Sequence, residues 1–494
     1  MQIRRLSAAL GILLPGALVS AALPTNDEQY FLEITNRMRL NPQAELRILT
    51  NINYSTPTPT WNNPKSSEPN VDDALQYFNV DAATLVNQWN ALVAAPPIAW
   101  NPNLGDSALF HTNYLISYAL AHPTEEAQQH ELPGEPTFIQ RLQNANYQYT
   151  MAAENLYAYA YNAFHGHAGF AIDWGNGPGG IQSPAGHRDN IMNAGYRETG
   201  IAIVPENEPT TSIGPLVITM DFGRRSGNAF LTGVVYNDLF TPDHFYTPGE
   251  GLDAMTVTVY NAGTSTVRAT TTTWSSGGYV LQLANGTYDV KLSGGGLASD
   301  ILYSNVVMNS TNVKIDSETH WLPASGGNWT TAANWNAGVP NGIGTRAFLT
   351  SYLSTGGTIT VNTPITVGSI DFDSNGAFTL SGTGSVKLDV SAGQARINAV
   401  GFNHSIATPV ILNDGTTINI SGDLALTGGL QNPLGKTITR SGSGTLHIAG
   451  PQAHAPNSLL AITSGTVRAQ SDAGTSASAG SAASANLAID VHGI

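Results

Sequence analysis

The feature that most constrains the fold of this chain is a change of residue pattern near Arg224. Before it, apolar residues recur at helical spacing, and after it short apolar and small polar residues alternate between Gly, Asn and Asp. Because helices repeat about every 3.6 residues and strands every 2, the two patterns predict a helix-containing domain followed by all-β modules. At 494 residues, the chain is long enough for about two to four domains, each with its own core.

Composition excludes several classes of function. The chain holds 20 Lys and Arg against 35 Asp and Glu, and charged residues make up only 11% of it. This balance argues against a nucleic-acid-binding surface. Cysteine is absent, so disulfides, thiolate metal sites and cysteine nucleophiles are ruled out.

Residues 1–21 resemble a secretory signal peptide. Arg4 and Arg5 precede an apolar run, and Ala21 ends a stretch of small residues where a signal peptidase would cut. The run is interrupted by Pro15 and is shorter than the ~20 residues that a membrane-spanning helix needs. We therefore expect a secreted or cell-surface protein whose mature chain has no membrane span.

Capping and periodicity predict the elements of the first domain. Thr25 and Glu28 have the spacing of a capping box, and Pro42 is placed to open a second helix. The region 51–80 is rich in Pro, Asn, Ser and Thr and is expected to be an inserted loop. Further helices are expected near Ala82–Val93, Asp106–Ala121 and Thr137–Asn146, and strands at Thr199–Val204 and Leu216–Phe222.

Several motifs then follow in a characteristic order: AWNPNL, QQHELPGEP, AAENL, SPAGHRDNIM and ITMDFG. In this order they resemble the CAP superfamily, specifically its bacterial branch of SCP-like secreted proteins. The resemblance covers roughly Asn26–Phe222 and places the domain at 22–226. It implies an α-β-α sandwich with a small antiparallel sheet and a cleft lined by histidines and acids.

The same resemblance nominates the site, within and just before Ala153–Met192. It implies that His130, Glu154 and His187 line the cleft, with Arg188 and Asn190 beside them as ligand-binding residues. Two imidazoles and a carboxylate suit zinc or another divalent ion with one position left for water. The same trio could also move protons, because imidazole titrates near neutrality.

The chain departs from the family pattern beside Trp174. Many relatives carry a second glutamate a few residues after this tryptophan, and this sequence has none there. Asp173 is the acid that could replace it, but it precedes the tryptophan, so we expect it to point elsewhere. The incomplete set favours a binding cleft over an active site.

The first domain has four other histidines. His165 and His167 are two residues apart, so a helix would direct them to different faces, and we expect both to be exposed. His111 is expected in the core or at its boundary, and His122 at the end of its helix. The serine-hydrolase and phosphate-loop motifs are not found beside the site.

Residues 230–316 read as short strands separated by turns, which predicts an immunoglobulin-like or prealbumin-like β-sandwich. The segment GEGLDAMTVTVY resembles the B-type repeats of bacterial adhesins and carboxypeptidase regulatory-like domains. Asp238, Asp243 and Glu250 offer oxygen donors that suit calcium, with a solvated loop as the equal alternative.

Residues 319–450 begin with a tryptophan-rich segment that resembles the start of autotransporter-associated β-strand repeats. The strand runs that follow predict a β-solenoid, with a long sandwich as the alternative. Trp321, Trp329 and Trp335 are expected to pack over its end rather than to bind sugar. Residues 451–494 are expected to be a low-complexity tail, with 471–486 too small and polar to fold alone.

Three functions remain open. The leading hypothesis is a CAP-like domain that binds a small apolar, peptide or cell-wall ligand, displayed on β-rich modules. A metal-dependent hydrolase or protease using His130, Glu154 and His187 is the second. The third is an adhesin in which the β-repeat region makes cell-surface or matrix contacts.

Overall fold

The structure is a computed structural model that describes residues 23–211, 213–241, 243–323, 325–350, 356–374, 376–474 and 486–491. The predicted signal peptide lies outside these residues, and so does most of the segment 471–486. The described residues form a helix-and-sheet domain, an all-β module of two sheets and a β-solenoid.

The first domain contains eight helices and six strands among its described residues. The helices are α1 (Asn26–Leu40), α2 (Pro42–Leu49), α3 (Pro69–Tyr77), α4 (Ala82–Asn90), α5 (Pro102–Ala121), α6 (Phe138–Asn144), α7 (Ala163–Ile172) and α8 (Gly186–Met192). The strands are β1 (Ile52–Asn53), β2 (Thr60–Trp61), β3 (Ala99–Trp100), β4 (Met151–Ala160), β5 (Glu198–Pro205) and β6 (Leu216–Arg224).

A four-stranded sheet in the order β3-β5-β6-β4 lies between two helical layers. Side chains alternate along each strand, so β6 directs Val217 towards α5 and the next residue, Ile218, towards α1 and α7. Strand β4 pairs antiparallel with β6 and forms one edge of the sheet. The two faces therefore bury separate apolar cores.

The inserted region 51–80 is more ordered than its composition suggests. It contains the short pair β1–β2 and the helix α3, whose N-terminus is capped by the Glu68 side chain, with Pro69 in the first turn. Val71 and Leu75 of this helix are buried in the main core. The expectation of a plain loop is therefore wrong for 69–77, because these two apolar residues, four positions apart, anchor a helical turn.

The second module has two antiparallel-rich sheets that share one core. Its strands are β7 (Ala229–Val234), β8 (Thr256–Asn261), β9 (Val267–Thr272), β10 (Gly278–Leu283), β11 (Gly286–Ser293), β12 (Ile301–Met308) and β13 (Val313–Lys314). The sheet orders are β10-β7-β13 and β12-β11-β8-β9. Leu231 from one sheet and Val290 from the other are fully buried in the shared core.

The third region is a β-solenoid of three parallel sheets, with eight, seven and five strands among the described residues. The first sheet contains β14 (Thr319–His320), β16 (Arg346–Thr350), β19 (Ser369–Ser374), β22 (Ala395–Gly401), β25 (Thr416–Ile420), β28 (Thr437–Ser441), β31 (Ser458–Ile462) and β33 (Leu487–Val491). The second contains β15 (Gly327–Asn328), β17 (Gly357–Thr360), β20 (Phe378–Ser381), β23 (Asn403–Ile406), β26 (Asp423–Leu426), β29 (Thr445–Ile448) and β32 (Thr466–Ala469). The third contains β18 (Ile365–Val367), β21 (Val386–Leu388), β24 (Val410–Leu412), β27 (Leu430–Asn432) and β30 (Gln452–His454).

Stacked apolar residues hold the solenoid together. Ile370 pairs with Ile397, and Ile397 pairs in turn with Ile418, so identical side chains lie above one another in the core. Trp329 and Trp335 are buried at the first turns, with ring centroids 4.9 Å apart. Their burial supports packing rather than sugar binding. The solenoid prediction is confirmed.

The repeat does not stop at residue 450, where the tail was expected to begin. Strands β30 to β33 continue the same parallel pairing, for example Leu460 with Ile489. Leu460 is buried in the solenoid core and Leu487 packs against it, which extends the ladder, while Ile489 at the far end is 61% exposed.

The first domain is joined to the second module by buried polar contacts. Lys314 of β13 lies 2.8 Å from Glu33 of α1 and also pairs with Asp316. The indole of Trp274 donates to Gln29 at 3.1 Å, and Arg37 lies over the ring of Phe245. Burial raises the pKa of Asp316 to about 7 despite the opposing charge of Lys314.

Candidate functional site

The edge strand β4 divides the predicted site between the two faces of the sheet. Glu154 faces the α5 layer, where Arg141 and His111 lie, and the next residue, Asn155, faces the α8 layer. The side chain of Asn155 donates to the backbone carbonyl of His187 at 3.0 Å. His187 is therefore held on the opposite face from Glu154.

His130 and Glu154 form the first imidazole–carboxylate pair. His130 Nδ1 lies 2.9 Å from Glu154 Oε1, and the His130 side chain is 56% exposed while that of Glu154 is 3% exposed. The ring is thus available to solvent, and the carboxylate is not. Two of the three residues predicted to share one cleft therefore lie together.

A buried ion network surrounds Glu154. The Arg141 guanidinium, from α6, lies 2.5 Å from Glu154 Oε2 and 3.2 Å from Glu135 Oε1. Glu135 also lies 2.7 Å from His111 Nδ1. Burial by itself would raise the pKa of Glu154, but the hydrogen bond with His130 and the charges of His111 and Arg141 hold that pKa below its ordinary value.

Asp221 of β6 is the acid that sequence reasoning missed on this face. It is fully buried opposite Glu154 in the β4–β6 pairing. Burial first, and then the charge of Glu154, raise its pKa well above the ordinary value, whereas the pKa of Glu154 is lowered. The sequence signal was a lone aspartate inside the apolar strand of ITMDFG.

His187 and Asp173 form the second pair. His187 Nδ1 lies 2.8 Å from Asp173 Oδ1, and the His187 backbone N–H donates to Asp173 Oδ2 at 3.0 Å. The His187 side chain is 19% exposed and Asp173 is fully buried. Both oxygens of this carboxylate therefore serve one histidine.

The expectation that Asp173 points elsewhere is wrong. Asp173 is the C-cap of α7 and has a left-handed backbone with φ 58. This conformation turns the chain sharply, and Asp is among the few non-glycine residues that adopt it readily. The turn brings the carboxylate to the N-terminus of α8, where His187 begins its first turn.

The exposed side of His187 opens into a cleft of about 740 Å³. One wall comes from the inserted helix α3 and the residue after it, with Tyr77 and Phe78, and the other from β4 and the α7–α8 segment, with Tyr159 and Trp174. His130 and Glu154 are not among its lining residues. The remaining lining residues are Asn70, Asp73, Ala74, Gln128, Tyr157, Ala158, Tyr161, His165, Gly169, Gly175, Asn176 and Gln182.

The prediction that His165 and His167 are exposed is wrong. His165 is 4% exposed, stacks on Trp174 with centroids 5.6 Å apart and lines the cleft. His167 is fully buried and lies 3.0 Å from Glu45. The two rings do point to different sides, but α7 is covered on all sides because it lies between α1 and the sheet. Burial lowers the pKa of His165.

The other two histidines lie as expected. His111 is buried, and His122 is the C-cap of α5, with its Nδ1 3.0 Å from the Tyr118 carbonyl.

Arg188 and Asn190 support the cleft from behind. Arg188 is 3% exposed and donates to the backbone carbonyl of Ile172 at 3.1 Å and to the Gln88 side chain. Asn190 donates to the side chain of Asn155 at 2.8 Å. Neither residue lines the cavity, so their visible role is to hold the turn that carries His187.

The predicted metal ligands are not gathered in one place. Among the described residues, the His130, Glu154 and His187 donors do not form a set in which all lie within 4.8 Å of one another. The two histidines are instead engaged by two different carboxylates. Zinc or another divalent ion held by all three stays a prediction, and this geometry does not favour it.

The residues nominated for calcium are also dispersed. Glu250 Oε1 accepts from the backbone N–H groups of Leu239 and Phe240 at 3.0 and 2.9 Å, and its Oε2 accepts from Thr247 at 2.8 Å. Its carboxylate therefore organises the loop. Within the described part of the chain, Asp238, Asp243 and Glu250 do not form a compact ligand set.

Comparison with known proteins identifies the first domain. The sequence profile of the cysteine-rich secretory protein family, CAP, matches residues 83–222. An extracellular protein containing an SCP domain from Bacillus anthracis str. Ames, of known crystal structure, is 19% identical, with a TM-score of 0.20. The similarity covers 32% of this chain and 41% of that one, and at this score it supports no further conclusion. The comparison with curated proteins returned no match.

Among the described residues, no helix is both long and apolar enough to cross a membrane. The B-type and autotransporter-repeat resemblances stay predictions. The matched segment contains, or lies beside, the buried ion network, the paired histidines and the sheet between helical layers. Residues 83–222 of this chain form a CAP-family domain.

Proposed function

We propose that this chain is a secreted bacterial binding protein whose CAP-family domain holds a neutral ligand in the cleft beside His187, with the β modules acting as a rigid display arm. The observation that carries this proposal is the exposed aromatic surface of the cleft. Tyr77, Tyr159 and Tyr161 are 82%, 45% and 61% exposed, and all three line the same cavity. Large aromatic side chains exposed around one concavity are typical of ligand sites.

The lining chemistry narrows the ligand class. Four amide side chains in the lining can donate and accept hydrogen bonds: Asn70, Gln128, Asn176 and Gln182. Among the lining residues, Asp73 is the one carboxylate, and none is a lysine or an arginine. With no lysine or arginine lining the cavity, an anionic ligand would have no counter-charge. A neutral molecule with flat apolar faces and hydroxyl or amide groups matches this lining best. The lining therefore favours a cell-wall glycan fragment over a sterol or a charged peptide.

The inserted helix α3 is the element that would give the site its specificity. It supplies four lining residues, Asn70, Asp73, Ala74 and Tyr77. Its Glu68 cap also accepts from the side chain of Asn162, the N-cap of α7, at 3.0 Å. The insertion is thus fixed against α7 in the opposite wall of the cleft by a contact between the caps of two helices.

The proposal is tested by titrating the full chain with soluble N-acetylated cell-wall oligosaccharides in a calorimeter. Binding is expected, and Tyr161→Ala should weaken it about tenfold because one stacking surface is lost. Phe402→Ala, which removes an exposed aromatic of the solenoid (48% exposed), is the matched control and should bind normally.

Two results would overturn the proposal. One is the absence of oligosaccharide binding together with tight binding of a sterol. The other is equal binding by the wild type and Tyr161→Ala. The metal-dependent hydrolase stays the alternative: zinc that copurifies and is lost from both His130→Ala and His187→Ala would favour it.

A further inference from the structure

A second cavity, of about 810 Å³, lies where the all-β module meets the solenoid, far along the chain from the CAP-family cleft. Asp238 and His244 reach it from the loop after β7, and Glu318 reaches it from the link before β14. One donor atom from each of these three residues lies within 4.8 Å of the other two. This is the compact His and carboxylate set found among the described residues.

Asp238 accepts backbone N–H groups at both oxygens, from Asp243 at 3.2 Å and from His244 at 2.8 Å, whereas the facing atoms of His244 and Glu318 have no hydrogen-bond partner. His244 Nδ1 lies 3.3 Å from Asp238 Oδ2 and 3.9 Å from Glu318 Oε2, yet it forms no hydrogen bond. Glu318 is 4% exposed, and its Oε2 also has no hydrogen-bond partner. A buried carboxylate oxygen normally has a partner, since leaving one unpaired costs free energy. Nδ1 of His244 and Oε2 of Glu318 are therefore both free to bind a further group placed between them.

The spacing fits a cation. Ligand atoms about 2.0–2.1 Å from a tetrahedral ion lie roughly 3.3–3.4 Å apart. The 3.3 Å separation of His244 from Asp238 matches this value, and the 3.9 Å separation of His244 from Glu318 needs only a small side-chain adjustment. The cavity leaves room for a water molecule as the fourth ligand.

The surrounding residues position these donors. The ring of His244 packs on Phe348 of β16 with centroids 4.3 Å apart. Arg346 occupies the other oxygen of Glu318, Oε1, at 3.1 Å, which leaves Oε2 for a ligand. Asp371 of β19 also lines the cavity, and burial raises its pKa to about 6. Three carboxylates, those of Asp238, Glu318 and Asp371, thus share the cavity with two arginines, Arg346 and Arg396.

We propose that Asp238, His244 and Glu318 bind one divalent transition-metal ion of the zinc class at the junction between the all-β module and the solenoid. An imidazole nitrogen with two carboxylates suits zinc-class ions, whereas calcium takes six to eight oxygen ligands. This donor set replaces the one predicted from sequence, in which Asp243 and Glu250 accompanied Asp238. The bound ion joins the two modules, because Asp238 and His244 belong to one and the ring of His244 rests on the other.

The test uses the full chain, purified without a histidine tag and stripped with a chelator, and titrates it with zinc alone in a calorimeter. One equivalent is expected to bind, and thermal unfolding should shift to higher temperature, since the ion binds the folded state. His244→Asn should weaken binding about tenfold or more. Asn suits this position because His244 has a left-handed backbone with φ 61. Glu318→Gln should have a similar effect.

His122→Asn, at the C-terminus of α5 and outside both sites, is the control and should keep full zinc affinity at this junction. The proposal is overturned if the stripped wild type binds no zinc, if both variants bind it as the wild type does, or if calcium binds more tightly than zinc. A melting curve establishes that each variant is folded. If His244→Asn does not fold, Asp238→Asn takes its place and the same criteria apply.

Discussion

The two histidine–carboxylate pairs of the CAP-family domain share one geometry, with Nδ1 of the ring 2.8–2.9 Å from a carboxylate oxygen, but differ in what their carboxylates do. Glu154 gives one oxygen to the exposed ring of His130 and the other to the buried guanidinium of Arg141. Asp173 gives both oxygens to His187, one to the ring and one to the backbone. The first carboxylate mainly stabilises the fold, whereas the second orients a ring that faces the cleft. The two roles differ because the Arg141 guanidinium contacts Glu154, and not because of where either histidine lies.

The largest expected effect comes from removing that cation. Arg141→Met leaves Glu135 and Glu154 buried without their shared counter-charge, and should lower the free energy of unfolding by about 3–5 kcal/mol in a urea titration. Arg39→Met is the matched control, because Arg39 is also fully buried but donates to backbone carbonyls, among them those of Pro96 and Asn193. It should cost about 1–3 kcal/mol. Equal losses in the two variants would remove the distinction between the pairs.

A smaller and opposite effect is expected at Asp221. Its pKa is raised in the folded state, so its ionisation opposes folding, and stability falls as pH rises from the ordinary value of 3.8 towards the folded value. Asp221→Asn removes this cost and should raise stability at neutral pH.

The measurement is the free energy of unfolding against pH for the wild type and Asp221→Asn. The gap between the two curves should widen as pH rises above about 4. For Glu154, whose pKa is lowered, the sign is opposite: its contribution is present above its ordinary value of 4.5 and is lost as pH falls through the folded value. If the difference in free energy of unfolding between the wild type and Asp221→Asn does not change with pH, ionisation of Asp221 does not oppose folding.

The smallest effects separate the two histidines themselves. His130→Ala removes a half-exposed ring and should cost less than about 1 kcal/mol. His187→Ala should cost about 1–2 kcal/mol, because its ring also packs against Phe170 with centroids 5.2 Å apart. In the oligosaccharide titration, only the His187 variant should lose affinity. Loss of affinity in His130→Ala instead would mean that the cleft extends around the edge of β4.

Local signals were sufficient for much of the fold. The Thr25–Glu28 capping box forms as predicted and starts α1, and the β-branched runs near 199–204 and 216–222 lie in β5 and β6. These predictions rest on contacts between residues close in sequence, which periodicity and caps report directly.

The features that could not be predicted depend on how distant parts of the chain pack together. Asp173 serves His187 only because a left-handed turn ends α7 and brings two helices together, and spacing along the chain does not reveal that. His165 and His167 are buried because α7 is covered on all sides. The signal for this was available, since the helix sequence AFHGHAGFAI carries no charged residue on any face and such helices are buried all round.

The contact of Lys314 with Glu33 has a mechanical consequence. A flexible linker would let the CAP-family cleft sample many directions, so the solenoid would serve only as a tether. Here a buried ion pair, the Trp274–Gln29 bond and the stacking of Arg37 on Phe245 fasten α1 to the all-β module at three points. Three points of attachment fix one orientation of the CAP-family domain on the all-β module, so a force applied to that module would turn the domain with it instead of stretching a linker.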